Sequence, residues 1–134
     1  MKNIDLNEAA DMFEMVSHET HVFYNSETGE FGHYCENYDS EDTPERFDGE
    51  PWIAAPSHYD IDEYGMMANF AETVANPHKN ELLSVALEGK GAFRRFKDTL
   101  HRVGLTEEWY SFKRLAYMEL AKEWCEENGL DFEN

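Results

Sequence analysis

The hydrophobic positions at the start of the chain first recur at helical spacing and then change to strand patterning. Leu6, Ala9, Phe13 and Val16 are three or four residues apart, and Asp5 before them is a residue type that caps helix N-termini. Two β-rich runs follow, THVFYN and EFGHYC, joined by a four-residue connection that ends in Gly29. This pattern predicts an N-terminal helix followed by an antiparallel β-hairpin.

The pattern lapses after the hairpin. Residues 36–51 read ENYDSEDTPERFDGEP, in which seven acids accompany one Arg, and this composition predicts a solvated acidic loop. The next run, WIAAPS, is apolar but is flanked by Pro51 and interrupted by Pro56. It is either a third strand at a sheet edge or an extended connection, and both interpretations stay open.

The rest of the chain has helical patterning throughout. Asp60 is the expected cap of the first helix in this part, Asn76-Pro77 opens the second, and Thr106 is the expected cap of the last. Gly104-Leu105 and Gly129-Leu130 are helix stop signals. The second helix runs through the apolar residues Leu82, Leu83, Val85, Ala86 and Leu87. In the other helices the apolar positions share one face, which is expected to be buried: Tyr64, Met67, Ala71, Val74, Phe93, Phe96, Leu100, Val103, Trp109, Phe112, Ala116, Leu120 and Trp124.

These elements predict an α+β fold: an N-terminal helix and a small antiparallel β-hairpin or sheet, followed by a helical C-terminal array of about four helices. The length of 134 residues suits a single domain over 1–134. Within it, residues 1–56 form the helix and sheet with the acidic loop, and residues 57–134 form the helical part.

Charge is unevenly distributed along the chain. The formal net charge is −18, and residues 1–64 hold 17 acids against only Lys2 and Arg46. Between residues 88 and 114, by contrast, seven bases accompany four acids. The summed negative field repels polyanions, so direct binding to nucleic acid or to an anionic membrane is disfavoured.

Composition narrows the class of protein further. No run approaches the roughly 18 apolar residues of a membrane span, and the N-terminus lacks the apolar core of a signal peptide. Cys35 and Cys125 lie far apart without metal-binding spacing, so we expect reduced thiols. We therefore expect a cytoplasmic protein without a membrane anchor.

Three segments carry a resemblance to a known family: LEGKGAFRRFKDTL, WYSFKRLAYMELAKEW and, more weakly, FYNSETGEF. Through them the chain resembles the bacterial Uncharacterised Protein Family 0158, over most of its length. The resemblance implies no activity, cofactor or catalytic residue.

The basic segment around Gly89 and Gly91 has three interpretations. A helix N-terminus beside Lys90, Arg94 and Arg95 could bind an anion or nucleotide, although the segment lacks the residue order of a phosphate loop and the strand that precedes one. Alternatively, the glycines form a turn whose following helix docks Phe93 and Phe96 in the core while its bases lie over the acidic part of the chain. In the third interpretation, Arg94, Lys97 and His101 share one exposed helix face that binds a partner.

Metal and catalytic chemistry are less well supported. If Asn25 pairs with Glu30, then His33 and Cys35 point to one face of the hairpin and His21 to the other, so these metal-binding side chains diverge. In DIDEYG, Asp60, Asp62 and Gly65 match part of a calcium loop, but Tyr64 stands where an oxygen ligand is needed. We predict no metal, no cofactor and no catalytic residue.

Three functions remain as hypotheses, and the sequence leaves the choice open. The first is a non-enzymatic protein–protein interaction or regulatory module. The second is an acidic nucleic-acid mimic that blocks a basic partner, with Asp39, Glu41, Asp42 and Glu45 as its interaction loop. The third is an anion- or nucleotide-binding protein at the Gly89-Gly91 turn. The partner is expected to be another protein, and the oligomeric state stays open.

Overall fold

The computed structural model describes residues 3–36 and 44–133 and has the α+β architecture that the sequence predicts. The chain divides into two compact units. Unit 1 comprises Met1–Ile61 together with Tyr117–Asn134, and unit 2 comprises Asp62–Ala116. The C-terminal residues therefore belong with the N-terminal part, which the sequence did not indicate. That the whole chain is one domain stays a prediction.

Unit 1 is built on a three-stranded antiparallel sheet. Strands β2 (Thr20–Asn25) and β3 (Phe31–Cys35) form the predicted hairpin, with Val22 opposite His33 and the Asn25 amide bonded to the Glu30 carbonyl at 2.8 Å. Strand β4 (Trp52–Ala54) pairs with the other edge of β2, giving the order β3-β2-β4. The WIAAPS run is thus an edge strand, where flanking prolines are tolerated.

One face of this sheet packs an aromatic core. Helix α1 (Leu6–Glu14), capped by the Asp5 side chain as predicted, contributes Phe13. The Phe13 ring lies edge-on to Trp124 at a centroid distance of 5.3 Å. Tyr24 and Phe31 from the hairpin are 4.9 Å apart in the same cluster. Edge-to-face packing of this kind stabilises the core beyond the burial of apolar area.

The opposite face of the sheet is covered by a 3₁₀ turn, Pro44–Phe47. Its Phe47 is buried and stacks on Phe23 with ring centroids 4.6 Å apart. Gly32 lies beneath this ring, and a Cβ atom there would be 2.7 Å from the nearest Phe47 ring carbon. The absence of a side chain at residue 32 therefore lets Phe47 reach the sheet.

The two ends of the described chain meet in a short parallel pairing. Strand β1 (Ile4–Asp5) pairs with β5 (Phe132–Glu133), and the Ile4 amide donates to the Asp131 carbonyl at 2.8 Å. The pairing brings the C-terminal residues of unit 1 beside the start of α1.

Helical elements make up the remainder of the chain. A single turn, α2 (His58–Ile61), ends the first segment of unit 1. Unit 2 contains α3 (Glu63–Thr73), α4 (Pro77–Ala86) and α5 (Ala92–Val103). The last helix, α6 (Thr106–Glu127), begins in unit 2 and continues into unit 1. Within the described ranges, no helix is both long enough and apolar enough to cross a membrane.

Most predicted helix ends are confirmed, with two corrections. Thr106 does not precede the last helix as its cap but is the first residue of α6, and the carbonyl of Leu105 before it accepts from the Trp109 amide. Asn76 caps α4, and Gly104 ends α5 in the left-handed conformation, with the Leu105 amide donating to the Leu100 carbonyl. The prediction that Asp60 caps α3 is wrong. Asp62 is the cap and accepts from the Gly65 amide at 3.1 Å, while Asp60 accepts from Ser57. Asp60 and Asp62 both precede the apolar positions of α3, so the sequence pattern does not show which of the two is the cap.

The core of unit 2 contains a cluster of aromatic rings. Trp109 is buried against Phe70 and Phe96, at centroid distances of 5.6 and 5.3 Å. Tyr64 and Phe93, which lie on predicted apolar helix faces, are instead exposed, and Val85 of α4 is exposed as well. Tyr64 retains a structural contact, because its hydroxyl donates to the Leu87 carbonyl at 2.8 Å. In α5 the buried positions are Ala92, Phe96, Thr99 and Leu100, which places Phe93 at the margin of the buried face.

We expect Gly32→Ala to lower the free energy of unfolding by about 1–3 kcal/mol, because the new methyl group would collide with the Phe47 ring. Urea denaturation measures this change. In a Phe47→Ala background the collision is absent, so the same substitution should then cost little. Equal costs in the two backgrounds would show that this contact does not explain why residue 32 is glycine.

The thiol of Cys125 should be unreactive in the folded protein. It is fully buried, and burial together with the nearby Glu126 charge raises its pKa to about 11. Cys35 is only partly buried. At pH 8, Ellman's reagent should therefore titrate one thiol in the native protein and two after denaturation. Because the folded state favours the neutral thiol, its contribution to stability falls as pH rises from about 9 towards 11. Rapid modification of both native thiols would contradict the assignment.

Candidate functional site

The glycine turn lies between two helices, as the sequence predicts. Helix α4 ends at Ala86, and α5 begins at Ala92. Gly89 and Gly91 have φ angles of 72° and 75°, in the left-handed region that glycine adopts without strain. A helix, and not a strand, precedes the turn, so the local context differs from that of a phosphate loop.

Arg95 folds back over this turn. Its Nε donates to the Ala86 carbonyl at 3.2 Å, and its two terminal nitrogens donate to the carbonyls of Lys90 and Glu88. The last carbonyls of a helix have no partners within the helix and carry partial negative charge, so a guanidinium group here satisfies and stabilises the end of α4. This geometry gives Arg95 a structural role in the turn.

The other predicted cations lie on the surface. Arg94, Lys97 and His101 are exposed along one face of α5, here named the basic face, and Lys90 is exposed in the turn before it. Among the described residues, no carboxylate pairs with any of these four side chains. Lys113 of the same unit differs, since it pairs with Glu63 at 3.2 Å. Whether the basic face binds a partner stays a prediction.

Phe93 adds an apolar group next to the basic face. Its side chain is 45% exposed, although its place in the apolar stripe of α5 predicted burial. The sequence contained a signal for this outcome: Ala92 and Thr99 are small enough to pack closely against neighbouring helices, and both are buried. A buried face centred on these residues leaves Phe93 beside Lys97, one helical turn away.

The two units differ sharply in charge. Unit 2 holds eight Lys/Arg and eight Asp/Glu and is formally neutral. The whole formal charge of −18 therefore belongs to unit 1, which holds three bases against 21 acids. The basic face thus lies in a unit without net charge, and the chain's acidity is concentrated in the other unit.

The predicted acidic interaction loop is only partly described. Asp39, Glu41 and Asp42 lie outside the described residues, while Glu45 is exposed in the 3₁₀ turn beside Phe47. The loop's role stays a prediction.

The histidines of unit 1 contact other side chains and do not converge on a metal site within the described residues. The predicted divergence on the hairpin is confirmed by the register, which places His33 opposite Val22 and His21 opposite Tyr34. His21 lies 2.8 Å from a Glu36 carboxylate oxygen, and His18 packs on His58 with ring centroids 3.7 Å apart. In the described part of the chain, no three His, Cys, Asp or Glu side chains are grouped as a metal site requires.

Comparison with known proteins agrees with the resemblance seen in the sequence. The chain is 31% identical over 67 residues to UPF0158 protein PA5073 of Pseudomonas aeruginosa. The matched region covers 49% of this chain and 44% of that protein, so the chain spans less than half of the relative it matches. No protein-family model matches the chain. No solved structure shows a significant similarity to it.

Removing the Arg95 side chain should destabilise unit 2. We expect Arg95→Ala to lower the free energy of unfolding by about 1–2 kcal/mol, because the carbonyls at the end of α4 lose a charged donor. Arg94→Ala is the matched control: it makes the same chemical change one residue earlier, at an exposed side chain, and should alter stability by less than about 0.5 kcal/mol. Similar losses in both variants would refute the structural role of Arg95.

Proposed function

We propose that this chain is a non-enzymatic protein–protein interaction module that binds an acidic patch on another protein through the basic face of α5. The observation that carries the proposal is the exposure of Arg94, Lys97 and His101 without carboxylate partners among the described residues. Cations that stabilise a fold usually pair with a carboxylate, as Lys113 does here, or donate to carbonyls at a helix end, as Arg95 does. Unpaired cations on one face can bind an external anionic group.

The neighbouring Phe93 supports recognition of a protein surface. Protein interfaces combine a desolvated aromatic or apolar centre with a polar rim, and Arg and aromatic side chains are enriched in them. Phe93 would supply the apolar contact, while Arg94 and Lys97 would supply charged contacts around it. Unit 2 is itself formally neutral, so its own residues add no net negative charge around the basic face.

The proposal is tested by affinity capture with the immobilised protein, followed by affinity measurement with the purified partner. Arg94→Gln/Lys97→Gln should weaken binding at least tenfold and reduce its dependence on salt. Lys79→Gln, which removes a cation from α4, is the control and should leave the affinity unchanged. If the double substitution leaves the affinity for the partner unchanged, the basic face is not the binding surface. Capture of no partner, together with turnover of a metabolite by the purified protein, would overturn the proposed function.

An acidic nucleic-acid mimic is the second candidate, and the concentration of the −18 charge in unit 1 favours it. In this case unit 1 would occupy the nucleic-acid-binding surface of a basic partner. The expected behaviour is salt-sensitive binding that DNA or RNA competes away. Neutralising Glu41, Asp42 and Glu45 should abolish that binding, whereas Arg94→Gln/Lys97→Gln should not. Binding that is insensitive to salt and to the acidic substitutions would exclude this candidate.

A further inference from the structure

A groove of about 470 Å³ runs between α4 and α5 of unit 2. Helix α4 lines it with aliphatic side chains, Leu82, Val85 and Ala86. Helix α5 lines it with polar and charged ones, Arg95, Asp98, Thr99 and Arg102. The groove therefore has one apolar wall and one charged wall.

The apolar wall is unusually accessible. Val85 is 54% exposed, and Leu82 one turn earlier is half-buried. Leu83 and Ala86 face the core of the unit. Helix α4 thus has two apolar faces, one packed in the core and one open to the groove. Covering Val85 and Leu82 with an apolar side chain would remove their surface from water, which is favourable.

Within the part of the chain that the structure describes, the two arginines of the charged wall differ in their contacts. Arg95 is occupied by the carbonyls of Ala86 and of the glycine turn, whereas the hydrogen bond shown for Arg102 is a long one of 3.4 Å to the Thr99 hydroxyl. Among the described residues, Asp98 forms no ion pair with either arginine. The Arg102 guanidinium can therefore donate two charge-assisted hydrogen bonds to a carboxylate.

The groove is continuous with the basic face. Arg94, Asp98 and Arg102 are each four residues apart on α5, so they form one row along the helix surface. The row starts at the basic face and ends at the groove. A ligand that contacts Arg94 can therefore extend along α5 to Arg102.

We propose that the α4–α5 groove binds an aliphatic side chain of an acidic protein segment, with a flanking carboxylate of that segment paired to Arg102. This inference rests on the proposed function and defines the chemistry of the partner: carboxylates for the basic face and Arg102, and a leucine-like side chain for the wall of Val85 and Leu82. An amphipathic helix with this composition matches a groove between two helices.

A protein segment fits these observations better than a nucleic acid. The aliphatic wall offers no donor to a phosphate and no aromatic ring for a base to stack on. An acidic protein segment can make both kinds of contact, because its carboxylates can pair with Arg94 and Arg102 while an apolar side chain covers Leu82 and Val85.

The test uses fluorescence anisotropy with the full-length protein. The probe is a short labelled peptide of glutamates with leucines at every third and fourth position, so that one helical face is apolar. Val85→Ser and Arg102→Gln should each weaken its binding about tenfold. Lys79→Gln should have no effect, because Lys79 does not line the groove. Both groove positions are at the surface, and a thermal melt checks that the variants remain folded.

Two further probes separate the components of the contact. A peptide with serine in place of leucine should bind at least tenfold more weakly, and so should a single-stranded oligonucleotide of equal charge. If either probe binds as tightly as the leucine-containing peptide, the proposed occupant is wrong. Absence of peptide binding to the wild-type protein would overturn the inference as well. Analytical ultracentrifugation of the protein at the same concentration should show no salt-sensitive self-association. Self-association through the groove would mean that a second copy occupies it, which would contradict the proposal.

The results also distinguish this inference from the proposed function. If peptide binding is lost in Arg94→Gln/Lys97→Gln but unchanged in Val85→Ser and Arg102→Gln, the basic face is supported and the groove is refuted. If the groove substitutions weaken binding while the basic-face substitutions do not, the groove is supported and the proposed surface is refuted.

Discussion

The contacts of Trp124 are the constraint on which unit 1 depends. Its indole nitrogen donates to the Ala54 carbonyl at 2.9 Å, and its ring packs against Phe13 and Tyr24. Its ring also lies 6.5 Å from that of Phe31, so this one side chain contacts α1 and all three strands of the sheet. Bringing these distant chain segments together costs conformational entropy, and the packing of four aromatic rings in the same cluster, three of them buried, offsets that cost. The pairing of β1 with β5 adds a second connection between the two ends.

This arrangement also determines how charge is distributed. Residues 117–134 carry six acids and one base, and packing around Trp124 places them in unit 1 with the acidic N-terminal segment. What remains in unit 2 is balanced in charge. The sequence alone suggested an acidic N-terminal part and a weakly acidic remainder. The structural units differ more, since unit 1 is strongly acidic and unit 2 is neutral. The proposed interaction surface on α5 depends on this neutrality, because its few cations do not act against a local excess of acids.

The candidate site was predictable in its charges but not in its shape. Arg94, Lys97 and His101 share a helix face by spacing alone, and the structure places all three at the surface. Arg95 belongs to the same basic run but contacts the end of α4, because the glycine turn brings those carbonyls within its reach. The groove could not be predicted, since it exists only where α4 and α5 lie side by side. Spacing alone predicts Phe93 in the core, but the structure leaves its side chain exposed.

Local interactions explain which elements could be predicted from the sequence. The caps at Asp5 and Asn76, the stop at Gly104 and the hairpin register all depend on residues within a few positions of each other, so the pattern alone specifies them. Tertiary packing decided the rest: the pairing of β4 with β2, the assignment of the C-terminal residues to unit 1 and the exposure of Phe93 and Val85. The physical reason is that helical spacing shows which side chains share a face, whereas burial of that face depends on the surface packed against it.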